Sequence, residues 1–501
     1  MITGHEFHGG LHLPNHKERI RDQATLPPFI PDRLVFPLIQ HTGTESDPIV
    51  APGDRVLKGE VIARSGSYVS STLHASSSGV VEHIGVYPVA SGEHERCIII
   101  RTDGDDRWGQ EMEALDYLTV SPEVLERRIE EAGIVGMGGA GFPSHVKVIE
   151  GADEQVETLI INGVECEPYI CCDDRLMCER TEEVVLGAKI LQKIVNARQT
   201  LLAVEEEMSE AYEALINIAD NELEIVKVPE IYPAGGERQL IRTLIGQQVP
   251  PHALPIEIGV LMLNVATVAA IYRAVVKGKP LISRIVTVVD AEDRGINIEV
   301  LNGTPVDALL RHLKMTVGPD QKLLFGGPMM GREVFTKDAP VLRKTNCVLI
   351  RKREPEGMET TCIRCGDCID VCPEEIQPQM LMEFGRSQAI EQLKEYRIFS
   401  CIECACCNVV CPSHIPLVRY FQHAKEIIIE QEEAKSRAVI SRRRYESRLQ
   451  RLKREAKRKR EGQNKNSVEE ANREKLKAAV QASIQRAKSK RKNQNRIRGN
   501  S

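Results

Sequence analysis

Gly133-Ile134-Val135-Gly136-Met137-Gly138-Gly139-Ala140-Gly141-Phe142-Pro143-Ser144-His145-Val146-Lys147 is followed in the chain by Thr158-Leu159-Ile160-Ile161-Asn162-Gly163-Val164-Glu165-Cys166-Glu167-Pro168. The first stretch is a glycine-rich loop. Glycines at 136, 138, 139 and 141 let backbone approach a flat or phosphorylated ligand, and backbone N–H groups with a following helix N-terminus can cradle phosphate. Lys147 adds a positive charge. The second stretch is a short apolar strand that ends in polar residues, and ligands of α/β sheets bind at the carboxyl ends of strands. The loop departs from the dinucleotide GxGxxG fingerprint and its following acidic residue. Taken singly, it also fits an ordinary turn. Three further stretches join it: Asp173-Asp174-Arg175, Tyr232-Pro233-Ala234-Gly235-Gly236-Glu237 and Leu263-Asn264-Val265-Ala266-Thr267. Together they point to one large cofactor site.

Around this stretch helix and strand patterns alternate over residues 121–275, which is the α/β signature. Helices are expected at 122–132, 182–196 and 238–245, and a strand at 224–228. The most apolar segment, 258–276, is interrupted by Asn264, Thr267 and Arg273, and reads as one buried helix rather than a membrane span. Strands at 281–289 and 296–300, a helix at 306–313 and a strand at 322–325 leading into Gly326-Gly327-Pro328 form a compact α+β module. Upstream, β-rich runs at 33–40, 55–63, 79–84 and 96–101, separated by turns such as Pro52-Gly53-Asp54, suggest a small barrel or sandwich. Residues before 28 are polar and read as an extended arm. The opening residues, Met1-Ile2-Thr3-Gly4-His5, have no basic segment followed by an apolar one, which argues against a signal peptide.

Fifteen cysteines are unevenly spread, nine of them between Cys362 and Cys411. They form Cys362-x2-Cys365-x2-Cys368-x3-Cys372-Pro373 and Cys401-x2-Cys404-x2-Cys407-x3-Cys411-Pro412. In bacterial two-cluster ferredoxins the fourth cysteine of such a run ligates the other cluster. On that rule one [4Fe–4S] cluster takes Cys362, Cys365, Cys368 and Cys411, and the second takes Cys401, Cys404, Cys407 and Cys372. Zinc sites use pairs of CxxC rather than triplets ending in CP. Cys406 is out of register and reads as a bystander thiol. A helix is expected between the motifs, around 379–396. Cys166, Cys171, Cys172 and Cys178 fit no cluster loop and read as buried thiols. A large chain with clustered cysteines indicates metal binding in a reducing compartment, not a disulfide scaffold.

Charge is asymmetric. Residues 434–501 carry 24 Lys+Arg against 6 Asp+Glu, a net of +18, which leaves the rest of the chain at −24. The tail is helix-favouring and poor in aromatics, so it reads as partly helical and largely solvated. A basic helix suits anionic lipid head groups or acidic partner subunits. A basic tail also suits nucleic acid, but no recognition fold accompanies it, so no nucleic-acid partner is expected.

GxGGAGFPxxxK at 136–147, NGVECEPY at 162–169, YPAGGE at 232–237 and LNVAT at 263–267 resemble the flavin-binding motifs of the NADH-oxidising FMN subunit of respiratory complex I. With Gly9-Gly10-Leu11-His12-Leu13-Pro14, Pro37-Leu38-Ile39-Gln40-His41, Gly326-Gly327-Pro328-Met329-Met330-Gly331 and the paired cysteine motifs, the chain resembles the C subunit of the Rnf (Rsx) ion-translocating electron-transport complex. The resemblance covers about residues 1–425. It implies a multidomain α/β and α+β chain: an arm (1–33), a barrel-sandwich hybrid-like domain (34–115), an FMN/NADH-binding α/β domain (116–280), an SLBB β-grasp module (281–350), a two-cluster ferredoxin-type helical domain (351–425) and a charged tail (426–501).

By the same resemblance, Gly136, Gly138, Gly139, Gly141 and Lys147 would line the FMN phosphate and ribityl chain. Asn162 and Glu165 would sit by the flavin, and Tyr232, Gly235, Gly236, Asn264 and Thr267 would complete the pocket. Phe142 and Glu167 would face NADH, with Glu237 near the nicotinamide. The complex I site is more polar, with acidic residues where Val164 and Gly236 stand and an asparagine where Leu263 stands. The implied activity is NADH:acceptor oxidoreduction of the translocase class. Hydride would pass between NAD(H) and FMN, single electrons would pass through the clusters, and ferredoxin-type carriers and membrane partner subunits would complete the path in either direction. The implied location is the cytoplasmic face of the bacterial inner membrane, peripherally bound. A different class remains open beside it: a docking or scaffold subunit that bears clusters and oxidises no NADH itself.

Overall fold

The computed structural model describes residues 6–251, 253–353 and 357–497. The opening pentapeptide Met1–His5, with the signal-peptide reading made on it, lies outside the described residues, as do residues 354–356 of the expected cysteine domain and 498–501 of the tail. By internal contacts the chain forms two units, Met1–Ala424 and Lys425–Ser501.

The first strands are β1 (Arg33–Pro37), β2 (Asp47–Pro48), β3 (Arg55–Val56), β4 (Val61–Arg64), β5 (Leu73–His74), β6 (Gly79–Pro88) and β7 (His94–Thr102). They make two sheets, ordered β1-β7-β6-β3 and β2-β4-β5, all antiparallel. Side chains alternate across a strand. Leu34, Phe36, Ile98 and Ile100 therefore enter one core with Ile62 and Val81, while Val35, Cys97 and Ile99 enter another. The run expected as one strand at 55–63 is broken, because Glu60 turns back to accept the Leu57 N–H at 2.8 Å.

The next four strands are β8 (Thr158–Asn162), β9 (Gln199–Glu205), β10 (Leu223–Val228) and β11 (Val260–Asn264), parallel and ordered β10-β9-β8-β11. Both faces are covered. Leu159, Ile161, Leu202, Leu261 and Leu263 pack with helices Pro122–Glu131, Thr181–Val195 and Val265–Val276. Ile160, Leu201, Ala203 and Met262 pack against Leu240, Ile241 and Leu244 of helix Glu237–Ile245. Burial on both faces explains why β8 and β11 read as continuous apolar runs. The expectation of one buried helix over 258–276 is corrected: strand β11 ends at Asn264, whose side chain caps the following helix by accepting Ala266 N–H at 2.9 Å.

A third sheet comprises β12 (Ser283–Val289), β13 (Gly295–Leu301), β14 (Gln321–Phe325), β15 (Arg332–Glu333) and β16 (Cys347–Lys352), ordered β13-β12-β16-β14-β15. Only the β12–β16 pair is parallel, and helix Val306–His312 packs Leu309 and Leu310 into its core.

The cysteine segment repeats itself at an offset of 39 residues. Helix Asp367–Asp370 matches Cys406–Val409. Left-handed backbone recurs at Arg364 and Glu403, at Gly366 and Ala405, and at Glu375 and His414. The single helix expected at 379–396 is two, Pro378–Arg386 and Ile390–Glu395, separated where Gln388 takes φ 51°.

A helix runs from Leu417 to Ile497. The described side chains of its second-unit part are exposed from Ile429 onward, and i,i+4 pairs such as Arg437–Glu433 and Arg442–Glu446 lie along it. Among the described residues no helix is long and apolar enough to cross a membrane.

Candidate functional site

Strand order reverses between β8 and β11, since β9 and β10 lie on the other side of β8. Crevices at such switch points, outside the carboxyl ends of the strands, are where α/β sheets bind ligands. Asn162 and Asn264 are the last residues of these two strands and are register partners. The glycine loop hangs over this point. A side chain at Gly138 would meet the Asn264 Cβ at 3.2 Å, and Met137 N–H donates to Thr267 Oγ1 at 2.9 Å.

The loop is closed by Gly136 N–H to Phe142 O (2.7 Å) and Gly141 N–H to Gly136 O (3.1 Å). Gly139 (φ +109°) and Gly141 (φ +65°) hold left-handed backbone that side chains disfavour, and a Cβ at Gly139 would point into open space. Gly138, Gly139 and Ala140 are exposed, and their N–H groups make no hydrogen bond among the described residues. Successive unpaired amides of this kind form an anion-binding concavity, so the loop fits a phosphate-bearing cofactor.

The other sequence-derived residues are spread around this point. Asn162 ties the YPAGGE loop to the strand, donating Nδ2 to Gly235 O at 2.9 Å and accepting Val164 N–H at 3.0 Å. Gly235 is required by close approach, since a Cβ there would lie 2.7 Å from Val164 O. Lys147, on helix Ser144–Asp153, is ion-paired with Glu237, the first residue of its helix, at 2.7 Å. Gly236 precedes it as the N-cap. Phe142 is half-buried at the loop's end.

Glu165 is buried beneath the crevice. Its carboxylate accepts the N–H groups of Asp173 (3.1 Å) and Asp174 (3.2 Å) and lies 3.3 Å from Cys172 Sγ. Burial, reinforced by Asp173, pushes its carboxyl up to about 8. Asp173 in turn accepts Asn264 Nδ2 at 2.6 Å.

Two residues expected at the flavin or NADH are engaged elsewhere. Glu167 accepts the backbone N–H groups of Met329 (2.7 Å) and Met330 (2.9 Å), holding the GGPMMG loop. Tyr232 is buried and donates its hydroxyl to Cys404 O at 2.7 Å. The YPAGGE loop therefore touches both the crevice and the cysteine segment.

None of the fifteen cysteines is in a disulfide. Cys372, Cys401, Cys404, Cys406 and Cys407 line one small cavity with Pro373, Ile402 and Phe421. Four of these belong to the set expected for the second cluster, with Cys372 coming from the other motif, and Cys406 lines the space beside them. Cys404, Cys407 and Cys372 are buried, whereas Cys365 is exposed and Cys362, Cys368 and Cys411 are half-buried. Cys406 is fully buried beside Tyr232 and Cys404.

One residue escaped the sequence reading. Lys17, on the arm, is 1% exposed; it donates to Glu165 O and pairs with Glu205 at 3.8 Å. Burial alone would depress its ammonium, but Glu205 and Glu165 more than offset this and raise it. A lysine in a polar arm carries no signal of such burial. The arm is threaded through the body: Gly10 N–H donates to Val371 O (3.1 Å), Leu11 pairs with Tyr232, and His16 stacks on Tyr169 at 4.6 Å.

The fold and crevice thus define a protein with a barrel-sandwich domain followed by an α/β flavin-binding domain. Residues 5–105 match the RnfC barrel sandwich hybrid domain family, and residues 129–273 match the Nuo51 FMN-binding domain family. The chain is 44% identical over 465 residues to the C subunit of the ion-translocating oxidoreductase complex of Pseudomonas aeruginosa, covering 91% of this chain and 60% of that protein. It is 39% identical over 495 residues to the corresponding protein of Serratia proteamaculans, covering 97% and 70%. The chain belongs to this family of C subunits of ion-translocating oxidoreductase complexes. It spans 60 to 70% of the length of these two relatives. A solved NAD+-reducing [NiFe]-hydrogenase is a more distant likeness, 18% identical with a TM-score of 0.41 over 55% of this chain and 54% of that one, and carries no weight here.

Proposed function

We propose that this chain is the NAD(H)-facing subunit of an ion-translocating electron-transport complex, holding FMN in the switch-point crevice and two [4Fe–4S] clusters on the cysteine loops. These groups would supply hydride exchange with NAD(H) and single-electron carriage. The amides of Gly138, Gly139 and Ala140 would hold the flavin phosphate. Asn162, Asn264 and Thr267 fix the loop and the strand ends around it. Phe142 would offer its ring for stacking, and the Lys147–Glu237 pair would flank the ligand. Glu165 supports the crevice floor; Tyr232 and Glu167 act by holding neighbouring segments. The ferredoxin-type assignment of 351–425 is supported by the 39-residue repeat, and the β-grasp assignment of 281–350 by the mixed five-stranded sheet with its helix.

The observation that carries this reading is the Tyr232–Cys404 hydrogen bond, which joins the crevice directly to the buried cysteine loop. A wire of clusters needs a source at one end, and this contact supports a flavin in the crevice as that source. Among the described residues no helix is long and apolar enough to cross a membrane, and the reading assigns ion movement to partner subunits. The reading adds peripheral attachment at the cytoplasmic face of the inner membrane, with ferredoxin-type carriers further along the path. The basic tail is the candidate for docking to lipid or to acidic partners. Deleting residues 434–501 is expected to release the chain from membranes; full retention would remove the tail from that role.

The visible spectrum of anaerobically purified protein tests the main reading. Flavin bands that NADH bleaches support it; a cluster band with no flavin favours the docking-subunit reading instead. That second reading draws on the Lys147–Glu237 pair, which already neutralises the loop's own cation.

A further inference from the structure

We infer that Gln239 is a crevice residue that none of the flavin-like motifs marks: its amide oxygen accepts the ring N–H on the imide edge of the flavin, while its amide nitrogen holds Glu374, just past Cys372-Pro373. The inference rests on the flavin reading above and adds to it a residue inside the first turn of helix Glu237–Ile245.

Both ends of the amide are placed. Gln239 is 3% exposed, and its Nε2 donates to Glu374 Oε1 at 2.7 Å. An ionised carboxylate only accepts, so the nitrogen faces Glu374 and the oxygen takes the other side. That oxygen lies against Gly236: a Cβ there would meet Gln239 Oε1 at 2.3 Å, so a side chain at 236 would displace it. Oε1 has no hydrogen-bond partner among the described residues. Buried side-chain amide atoms are ordinarily satisfied, so one end of this amide is tied and the other waits for a donor.

The open end belongs to the crevice. Asn162, the last residue of β8, holds the same loop through Gly235 O at 2.9 Å. Gly236 is the helix N-cap and has no side chain with which to cap it. The N–H groups of Glu237, Arg238 and Gln239 make no hydrogen bond among the described residues; Leu240 N–H is the first to bond, to Gly236 O at 2.8 Å. Neighbouring side chains do not supply Oε1 with a donor. Lys147 is held by Glu237, and Arg238 is spent on carbonyls that include Val249 O and Ala253 O.

Open backbone donors around one buried acceptor suit an edge on which carbonyl oxygens flank an N–H. The isoalloxazine ring carries one such imide edge. A phosphate dianion would set its oxygens against Oε1, so this helix end differs in kind from the glycine loop. An amide this deeply buried suits a resident group better than a substrate that leaves at each turnover. The tied end reaches the cysteines: Glu374 lines the small cavity with Cys372, Cys404 and Cys407, and Arg242 of the same helix pairs with Glu375 at 2.9 Å.

Titration of full-length protein that carries its clusters and has been stripped of flavin tests this, read by quenching of flavin fluorescence. The probes are FMN and 3-methyl-FMN, which lacks the ring N–H. Wild type is expected to hold 3-methyl-FMN about tenfold more weakly than FMN, and Gln239→Leu to bind FMN about tenfold more weakly without distinguishing the two. Glu374→Ala frees the amide to turn and is expected to weaken FMN by about threefold. Equal affinity of the wild type for both flavins would overturn the contact whether or not the leucine variant folds. Wild-type FMN affinity in Gln239→Leu would overturn it too, leaving the flavin reading intact. Kept FMN affinity with weakened NADH binding would give the amide to the nicotinamide carboxamide and overturn the flavin assignment. Unchanged FMN affinity in Glu374→Ala would remove the cysteine segment from the bridge. A wild-type protein that binds no FMN would overturn the flavin reading itself.

Discussion

The two cysteine loops are copies in backbone and opposites in surroundings. Each has left-handed residues after its first and second cysteines, a one-turn helix, and a left-handed residue after its Cys-Pro step. Yet the 401–411 loop is packed under Tyr232 and the arm residues Leu11 and Leu13, while the 362–372 loop meets the arm only at its end, at Val371, and presents Ile363, Arg364 and Cys365 to solvent. A repeated motif sets ligand geometry. What lies around each copy differs, and in the proposed reading that gives it a direction: the covered loop lies toward the crevice, and the open one is left for a partner.

The largest expected effect comes from removing one thiolate from each loop. Cys365→Ser and Cys404→Ser should each lose about half the protein's iron, since each breaks one of two cubanes. Only Cys404→Ser should also loosen the body, seen as faster proteolysis near residue 232. Equal destabilisation by both would break the contrast. Tyr232→Phe is next. It strands the Cys404 carbonyl in a buried place, and chemical denaturation should show a loss of about 1–3 kcal/mol. No loss would mean the contact is incidental.

The smaller effects sharpen the copy itself. Ala405 holds φ 63° where its counterpart is Gly366. Ala405→Gly should gain, and Gly366→Ala should lose, on the order of 1 kcal/mol, because a Cβ in left-handed backbone is strained. On the crevice side the contrast is pH dependence. The Glu165 carboxyl is raised from 4.5 to about 8, so the stability it contributes is full below pH 4.5 and is lost as pH rises toward 8. Glu165→Gln cannot titrate. Its stability relative to wild type should therefore improve as pH rises over that window, measured as melting temperature; a constant difference would contradict the raised value.

Much of this was legible because it is local. The cysteine spacing, the glycine loop and strand β8 lie in single short stretches whose geometry their own residues dictate. The segment 258–276 misled because a strand buried on both faces and a buried helix are equally apolar; only the capping Asn264 marks the junction. Strand β16 went unread, since its pairing with β12 and β14 is made across the chain. Tyr232 and Glu167 read as pocket residues by motif, but their partners, Cys404 O and the Met329 and Met330 amides, come from segments far along the sequence. Lys17 and Gln239 show the same limit: a polar residue's burial is decided by what folds over it.

The most direct test of the crevice feeding the cysteine loops is low-temperature electron paramagnetic resonance on anaerobic protein, reduced first by NADH and then by dithionite. NADH alone is expected to develop reduced-cluster signals, diminished in Cys404→Ser. Cluster signals that appear with dithionite and never with NADH would contradict it.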